Sequence, residues 1–300
     1  MGDTLWATPA IESLKRSFPS SSVVVLTSPI GQEVLQNNPW IDEIWLFRPS
    51  LSLFLKLKKK AFDVALVLHS SQRLLLPFLT AAGIPEIVGT LTIQKGLDAL
   101  LTDPLPRRPM HEIRRRLEMV ELIGGSSFTE ILSIYTPRVD PPSRPLICLH
   151  PGSKDPFRRY PASLYAEVGR LFKQHLDCDL IVTGHEEADA VAAGIPGAKT
   201  FQGSFTALAS LLSQASLLIT NDTGPFHLAC ALPRPAIGLF VPSDPFLFGP
   251  HKSLSGFALK KPATCTPCLK RRCPEPFCFY QIGPKEIVEK GLQMLTNVVD

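Results

Sequence analysis

Residues 217–231 read Leu-Leu-Ile-Thr-Asn-Asp-Thr-Gly-Pro-Phe-His-Leu-Ala-Cys-Ala. Leu217 to Thr220 is a short, unbroken apolar run of the kind a buried parallel strand carries. Pro225 to Ala231 is apolar as well, and its proline suits the first turn of a helix. A strand that passes through a polar loop straight into a helix is half of a βα unit. The loop Asn221-Asp222-Thr223-Gly224 sits at the strand's carboxyl end, where parallel sheets bind ligands. Gly224 lets a ligand approach the backbone, and free N–H groups at a helix start attract anions. Asp222 and Thr223 can cap the helix or bind a hydroxyl, and His227 lies one turn in. The competing reading is a capped helix, with Asp222 as the cap and no ligand.

Outward from this stretch, the same alternation repeats. In the second half, strands are predicted over 146–150, 179–183 and 235–240, with helices over 163–175, 186–193, 204–214 and 284–298. In the first half, strands are expected over 22–27, 43–47 and 62–69, with helices between and after them. Thr8 is expected to cap a helix that has Pro9 at its first position and Ile11, Leu14 and Phe18 on one face. A longer helix runs over 111–123 and stops at Gly124-Gly125. Pro137 to Pro145 holds four prolines in nine residues, the composition of a stiff linker. The fold class is therefore α/β: two doubly wound parallel-sheet domains around a cleft, over 1–140 and 141–300. The last helix, 284–300, is expected to reach back to the first domain.

Two further loops carry groups suited to an anionic ligand. His150-Pro151-Gly152-Ser153-Lys154 follows an apolar strand, and Arg158-Arg159-Tyr160-Pro161 comes soon after. A glycine-containing turn with a hydroxyl and guanidinium groups can clamp a diphosphate; the alternative is an ordinary strand-to-helix loop. Gly2-Asp3-Thr4 lies just ahead of the first expected helix. Its carboxylate could act as a base, or the segment could be a loose terminus. After the strand over 62–68 comes His69-Ser70-Ser71-Gln72-Arg73. Arg73 could meet a carboxylate or phosphate of a second substrate, or lie in solvent.

These loops, with Thr183-Gly184-His185-Glu186-Glu187, carry a resemblance over essentially the whole chain. The matching pieces are Gly2-Asp3 with Thr8-Pro9-Ala10, His150-Pro151-Gly152-Ser153, Arg159-Tyr160-Pro161, and Asn221 to Ala229 with Phe240-Val241-Pro242-Ser243-Asp244-Pro245. The chain resembles glycosyltransferase family 9, the ADP-heptose:lipopolysaccharide heptosyltransferases. The resemblance implies a GT-B fold of two Rossmann-like domains. The N-terminal one would bind a lipid-linked acceptor and the C-terminal one a nucleotide sugar. It implies inverting transfer of heptose from ADP-heptose to the lipopolysaccharide inner core, without metal or cofactor. Asp3 matches the family's proposed catalytic base. Ser153, Arg158, Glu187, Asp222, Thr223, Gly224 and His227 fall where the family contacts its donor. At the position of Arg158 the family often carries lysine; guanidinium keeps the charge but not the geometry. The alternatives are another nucleotide-sugar donor or glycan acceptor on the same fold, or a non-catalytic nucleotide-sugar-binding protein.

Composition sets the remaining expectations. The chain has 300 residues, 45% hydrophobic and 19% charged, with a net charge of +4. That balance reads as globular, with no apolar run of spanning length. Leu74 to Ile84 is too short and is broken by Pro77. No secretory signal is read, so the expected location is the cytoplasm, with contact at the inner face of the inner membrane. Basic clusters at Lys56–Lys60, Arg107–Arg108, Arg114–Arg116 and Lys270–Arg272 would serve such contact; each also reads as a solvated helix face. Nucleic acid is disfavoured, because aromatics do not interleave the basic residues.

Asp177-Cys178-Asp179 has the spacing of a metal-binding carboxylate pair, but it precedes a strand, at the sheet edge away from ligands. Cys148, Cys178 and Cys230 read as small core residues. Cys265, Cys268, Cys273 and Cys278 either bind one structural zinc or are free thiols. Finally, doubly wound domains begin with a strand, and none precedes Gly2-Asp3. The expectation is that Met1 is internal to a longer protein, and that the N-terminal sheet as given lacks a strand near its centre.

Overall fold

The computed structural model describes residues 1–69, 73–137, 139–241, 243–253, 255–261 and 277–296. The chain divides into two compact units. One is Trp6–Glu130; the other joins Met1–Leu5 to Ile131–Asp300.

The N-terminal unit alternates helices and strands in the order α1 (Gly2–Ser17), β1 (Val24–Thr27), α2 (Pro29–Leu35), β2 (Glu43–Leu46), α3 (Leu51–Lys60), β3 (Val64–Val67), α4 (Leu75–Ala81), β4 (Glu86–Thr90), β5 (Asp103–Leu105) and α5 (Glu112–Leu122). Local signals explain the helix starts. Ser28 Oγ accepts from Gly31 N ahead of α2, and Ser50 Oγ accepts from Leu53 N ahead of α3. His111 caps α5 through its ring nitrogen, which accepts from Ile113 N at 3.2 Å. Gly124, at φ +84°, takes the left-handed turn after α5.

The first helix departs from expectation. Thr8 does not cap it. The helix begins at Gly2, with the Met1 carbonyl accepting from Thr4 N and Leu5 N, and Pro9 lies inside it. An interior proline costs about 3 kcal/mol. Leu5, Trp6 and Ile11 are all buried, and full burial of each such side chain contributes roughly 1.5–3 kcal/mol. Packing therefore outweighs the local stop signal. Pro77 is better placed, at the third position of α4, where no intrahelical N–H bond is due.

The strands of this unit form two separate parallel sheets, β1-β2 and β3-β4-β5. Val24 and Leu26 of β1 nevertheless share an apolar cluster with Ala65 and Val67 of β3. Every residue of β1 is only half-buried.

The second unit continues with β6 (Leu146–His150), α6 (Ala162–His175), β7 (Asp179–Thr183), α7 (Glu186–Ala192), β8 (Lys199–Phe201), α8 (Phe205–Gln214), β9 (Leu217–Asn221), α9 (Gly224–Ala231), β10 (Ala236–Leu239), α10 (Pro245–Phe248), β11 (Gly256–Leu259) and α11 (Pro284–Thr296). Among the described residues, its six strands form one parallel sheet, ordered β8-β7-β6-β9-β10-β11. The chain builds outward from β6 to β8, returns, and builds outward from β9 to β11. The switch point therefore lies between β6 and β9, and the ligand crevice of such a sheet forms there. β6 pairs with β9 from Ile147–Leu217 to His150–Thr220, so both strands end at the same level. Nearly every residue of β6, β9 and β10 is buried. The core includes Ile147, Leu149, Val182, Leu217, Ile219 and Ile237. The last helix packs within this unit, on α6, with Ile287 and Val288 in the core. Among the described residues, no helix is long and apolar enough to cross a membrane.

Candidate functional site

The loops after β6 and β9 meet at the switch point, and Asn221 holds them together. Its side-chain oxygen accepts from Tyr160 N at 3.0 Å. Its amide nitrogen donates to Pro151 O at 2.8 Å and to Gly152 O at 3.4 Å. Asn221 is fully buried, so each of these bonds satisfies a group that would otherwise be costly to desolvate. Tyr160, in turn, donates its hydroxyl to Ile282 O at 2.6 Å.

Asp222 does not cap the helix that follows. Thr223 occupies the cap position of α9 without a side-chain cap bond. Its hydroxyl lies 3.0 Å from Thr220 Oγ1 instead. The N–H groups at the start of α9 are thus free of side-chain caps, as an anion site requires. Asp222 turns toward Arg158, whose Nη1 donates to its carboxylate at 3.1 Å, and His227 Nε2 lies 3.8 Å from its other oxygen. Asp222 and His227 are both buried. Burial pushes the Asp222 carboxyl up from its usual range; the Ser243 hydroxyl and the Arg158 guanidinium oppose this. Arg158 also pairs with Asp155 at 3.5 Å.

Ser153 and Glu187 are linked through Arg159. The guanidinium donates through Nε to Ser153 O at 2.8 Å and pairs through Nη1 with Glu187 at 2.7 Å. Between these loops, His150 places Nδ1 2.9 Å from Thr183 Oγ1. Burial pushes the His150 pKa down to about 4, opposed by Glu187, so the ring is neutral at pH 7.

The start of α1 belongs to this site. A side chain on Gly2 would meet His227 Cδ2 at 3.2 Å, and one on Gly224 would meet Met1 Sδ at 2.7 Å. A side chain at either glycine would thus crowd the neighbouring His227 ring or Met1 side chain. Asp3, the next residue, therefore enters α1 one residue from the His227 contact. The expectation of a loose terminus fails here: residues 1–5 pack with the second unit.

Asp3, Ser153, Arg158, Glu187, Asp222, Thr223, Gly224 and His227 all fall in this one unit. Arg73 does not; it is exposed in a turn ahead of α4, in the N-terminal unit. Asn221, Arg159 and His150 were legible only as members of motifs. That they hold the site's framework emerges from their bonding.

At the opposite end of the sheet, Arg144 pairs with Asp177 and with Asp179, the latter at 3.5 Å. The Asp-x-Asp spacing is thus an ion-paired strand entry. Cys148, Cys178 and Cys230 are buried, and desolvation pushes the Cys148 and Cys230 thiols up to about 12. Among the described residues, no group of three or more His, Cys, Asp or Glu side chains is placed to hold a metal. Of the four-cysteine cluster, Cys265, Cys268 and Cys273 lie outside the described residues, and Cys278 is half-buried.

The candidate site is thus a glycine-bearing helix start at a sheet switch point, faced by a buried carboxylate, an arginine and a histidine. Solved structures agree on the fold. The glycosyltransferase family 9 structure from Veillonella parvula superposes with a TM-score of 0.79 at 20% identity, covering 99% of this chain and 94% of that one. The ADP-heptose lps heptosyltransferase II structure from E. coli gives 0.78 at 18% identity, covering 100% and 97%. The GT-B class follows. In sequence, lipooligosaccharide heptosyltransferase 2 of Campylobacter jejuni is 21% identical over 99% of this chain and 96% of its own length. The model of glycosyltransferase family 9 (heptosyltransferase) matches residues 129–278, half of the chain. The chain belongs to this family and is a glycosyltransferase.

Proposed function

We propose that the protein transfers heptose from ADP-heptose to the inner core of a lipid-linked lipopolysaccharide acceptor, with inversion at the anomeric carbon. The observation that carries this is the convergence of Arg158, Asp222, His227 and the uncapped start of α9. In this reading the donor diphosphate lies on the N–H groups of α9 at Thr223 and Gly224. Arg158 and His227 face its oxygens. The leaving diphosphate gathers negative charge, which fixed donors stabilise without reorganising. Ser153 and Glu187 complete the donor contacts. One Glu187 oxygen holds Arg159, leaving acceptor capacity for a donor hydroxyl.

Asp3 is the base. An acceptor hydroxyl is a poor nucleophile near neutral pH, so a carboxylate within hydrogen-bond reach takes its proton during attack. The N-terminal unit binds the acceptor, with Arg73 meeting one of its anionic groups. Because the acceptor is lipid-linked, the enzyme works against the inner membrane surface as a peripheral protein.

A panel of nucleotide sugars tests this reading, with release of the nucleoside diphosphate as the readout. Turnover with ADP-heptose and a deacylated core acceptor is expected. Turnover with a different donor alone would replace the substrate assignment. Binding of donor with no turnover on any acceptor would replace the enzyme reading by a binding protein.

A further inference from the structure

Helix α3 has two apolar faces where one would suffice. Leu53 and Leu57 point inward and are buried. Leu51 and Leu55, one turn apart on another face, are 73% and 54% exposed. Leu74, just ahead of α4, is 52% exposed. Between them runs a groove of about 460 Å³ lined by Leu51, Phe54, Leu74, Pro77 and Phe78. Phe54 and Phe78 meet edge to face at 6.3 Å, so its floor is packed.

Cations rim this patch. Lys58 follows Leu55 by three residues and Lys59 by four, so both flank the leucine stripe. Lys58, Lys59, Arg48 and Arg73 are all exposed. Behind them, Lys56 Nζ stands 3.7 Å from the Trp45 ring centroid, and Lys60 pairs with Glu43 at 2.7 Å. Those two contacts tie the helix's polar flank to β2 and fix the direction in which the leucines face.

We infer that this α3–α4 patch is the surface by which the protein docks on an anionic phospholipid bilayer. Exposed leucines ringed by lysine and arginine match such a membrane in both respects. The apolar side chains enter the headgroup–acyl boundary, and the cations meet the headgroup charge. A protein partner fits less well. A stable protein interface buries about 800 Å² per partner, whereas α3 is 10 residues long, or about 15 Å. The inference deepens the lipid-linked-acceptor reading and rests on it for the reason a membrane is needed.

Flotation with phosphatidylcholine vesicles, with and without phosphatidylglycerol, tests it. The full chain should float with the anionic vesicles at low salt and be released at high salt. Lys58→Gln with Lys59→Gln should weaken binding about fivefold per lysine. Leu51→Ser with Leu55→Ser should weaken it at least about tenfold. In the wild-type protein, amide exchange over α3 should slow on adding the anionic vesicles, a readout independent of any variant's folding. Failure to float, variants that float like wild type, or unchanged exchange over α3 would each overturn the surface. Transfer to a deacylated acceptor is measured alongside. Lost vesicle binding with transfer intact supports the surface, whereas absent wild-type transfer overturns the heptosyl reading and leaves flotation to decide the surface separately.

Discussion

The two units use the same βα alternation to different ends. Among the described residues, the C-terminal unit keeps six strands on one ladder, and nearly every residue of β6, β9 and β10 is buried. The N-terminal unit, again among the described residues, divides five strands between two sheets, and β1 is half-buried along its length. The site residues gather on the continuous sheet. Preorganised charge stabilisation needs a floor that does not move, and a fully paired, buried ladder supplies one.

If the chemistry resides in the C-terminal unit and the first five residues, Asp3→Asn should have the largest effect. Turnover is expected to fall about 10²- to 10⁴-fold, with donor binding by calorimetry unchanged. Unchanged turnover would remove Asp3 as the base. Next comes packing. Leu149→Ala on β6 should cost about 2–5 kcal/mol. The same change at Leu26 on half-buried β1 should cost less than half as much. Denaturant unfolding checks this, and equal losses at the two sites would break the contrast.

The pH dependence is more local. His150 has its pKa lowered to about 4 from the usual 6.5. Between these values the unfolded chain binds more protons than the folded one, so stability rises with pH. The contribution is fully present above about pH 6.5 and lost by about pH 4, worth roughly 3 kcal/mol. Melting temperatures across this window should fall as pH falls, and His150→Asn should flatten the slope.

The smallest effect is at Asp222, whose carboxyl is raised by burial. A raised carboxyl costs stability as pH climbs from its unfolded value to its folded one, and the full cost is present above that. Asp222→Asn should therefore slightly raise the melting temperature at pH 7 while weakening donor binding. A variant that binds donor normally would take Asp222 out of the grip.

Much of this was legible in the sequence, for identifiable reasons. The strands of the C-terminal sheet announce themselves as apolar runs because they are buried on both faces. Ser204, a serine ahead of an apolar run, marks the start of α8 and caps it through Ala207 N. Other features were hidden. β8 and β11 lie at the sheet's edges, where a few mixed residues suffice. The strand β5 is three residues long and carries Pro104, a residue that argues against a strand. Thr8-Pro9 reads as a helix start, yet tertiary burial of Leu5, Trp6 and Ile11 carries the helix through it. In the site, Asp222 reads as a cap because aspartate caps helices well. Only the position of Arg158, 64 residues away in sequence, turns the carboxylate elsewhere.

Arg159 has a consequence for how donor preference can change. One guanidinium holds the Ser153 carbonyl and the Glu187 carboxylate at once. A substitution that reshapes either loop pulls on the other through this shared tether. If Ser153 and Glu187 contact the donor as proposed, altered nucleotide-sugar choice should arise from paired changes in the two loops, with single changes costing activity before they gain a new substrate. Libraries that vary the residues around 153 and 187 together, with Arg159 kept, are the route by which this scaffold would be re-educated.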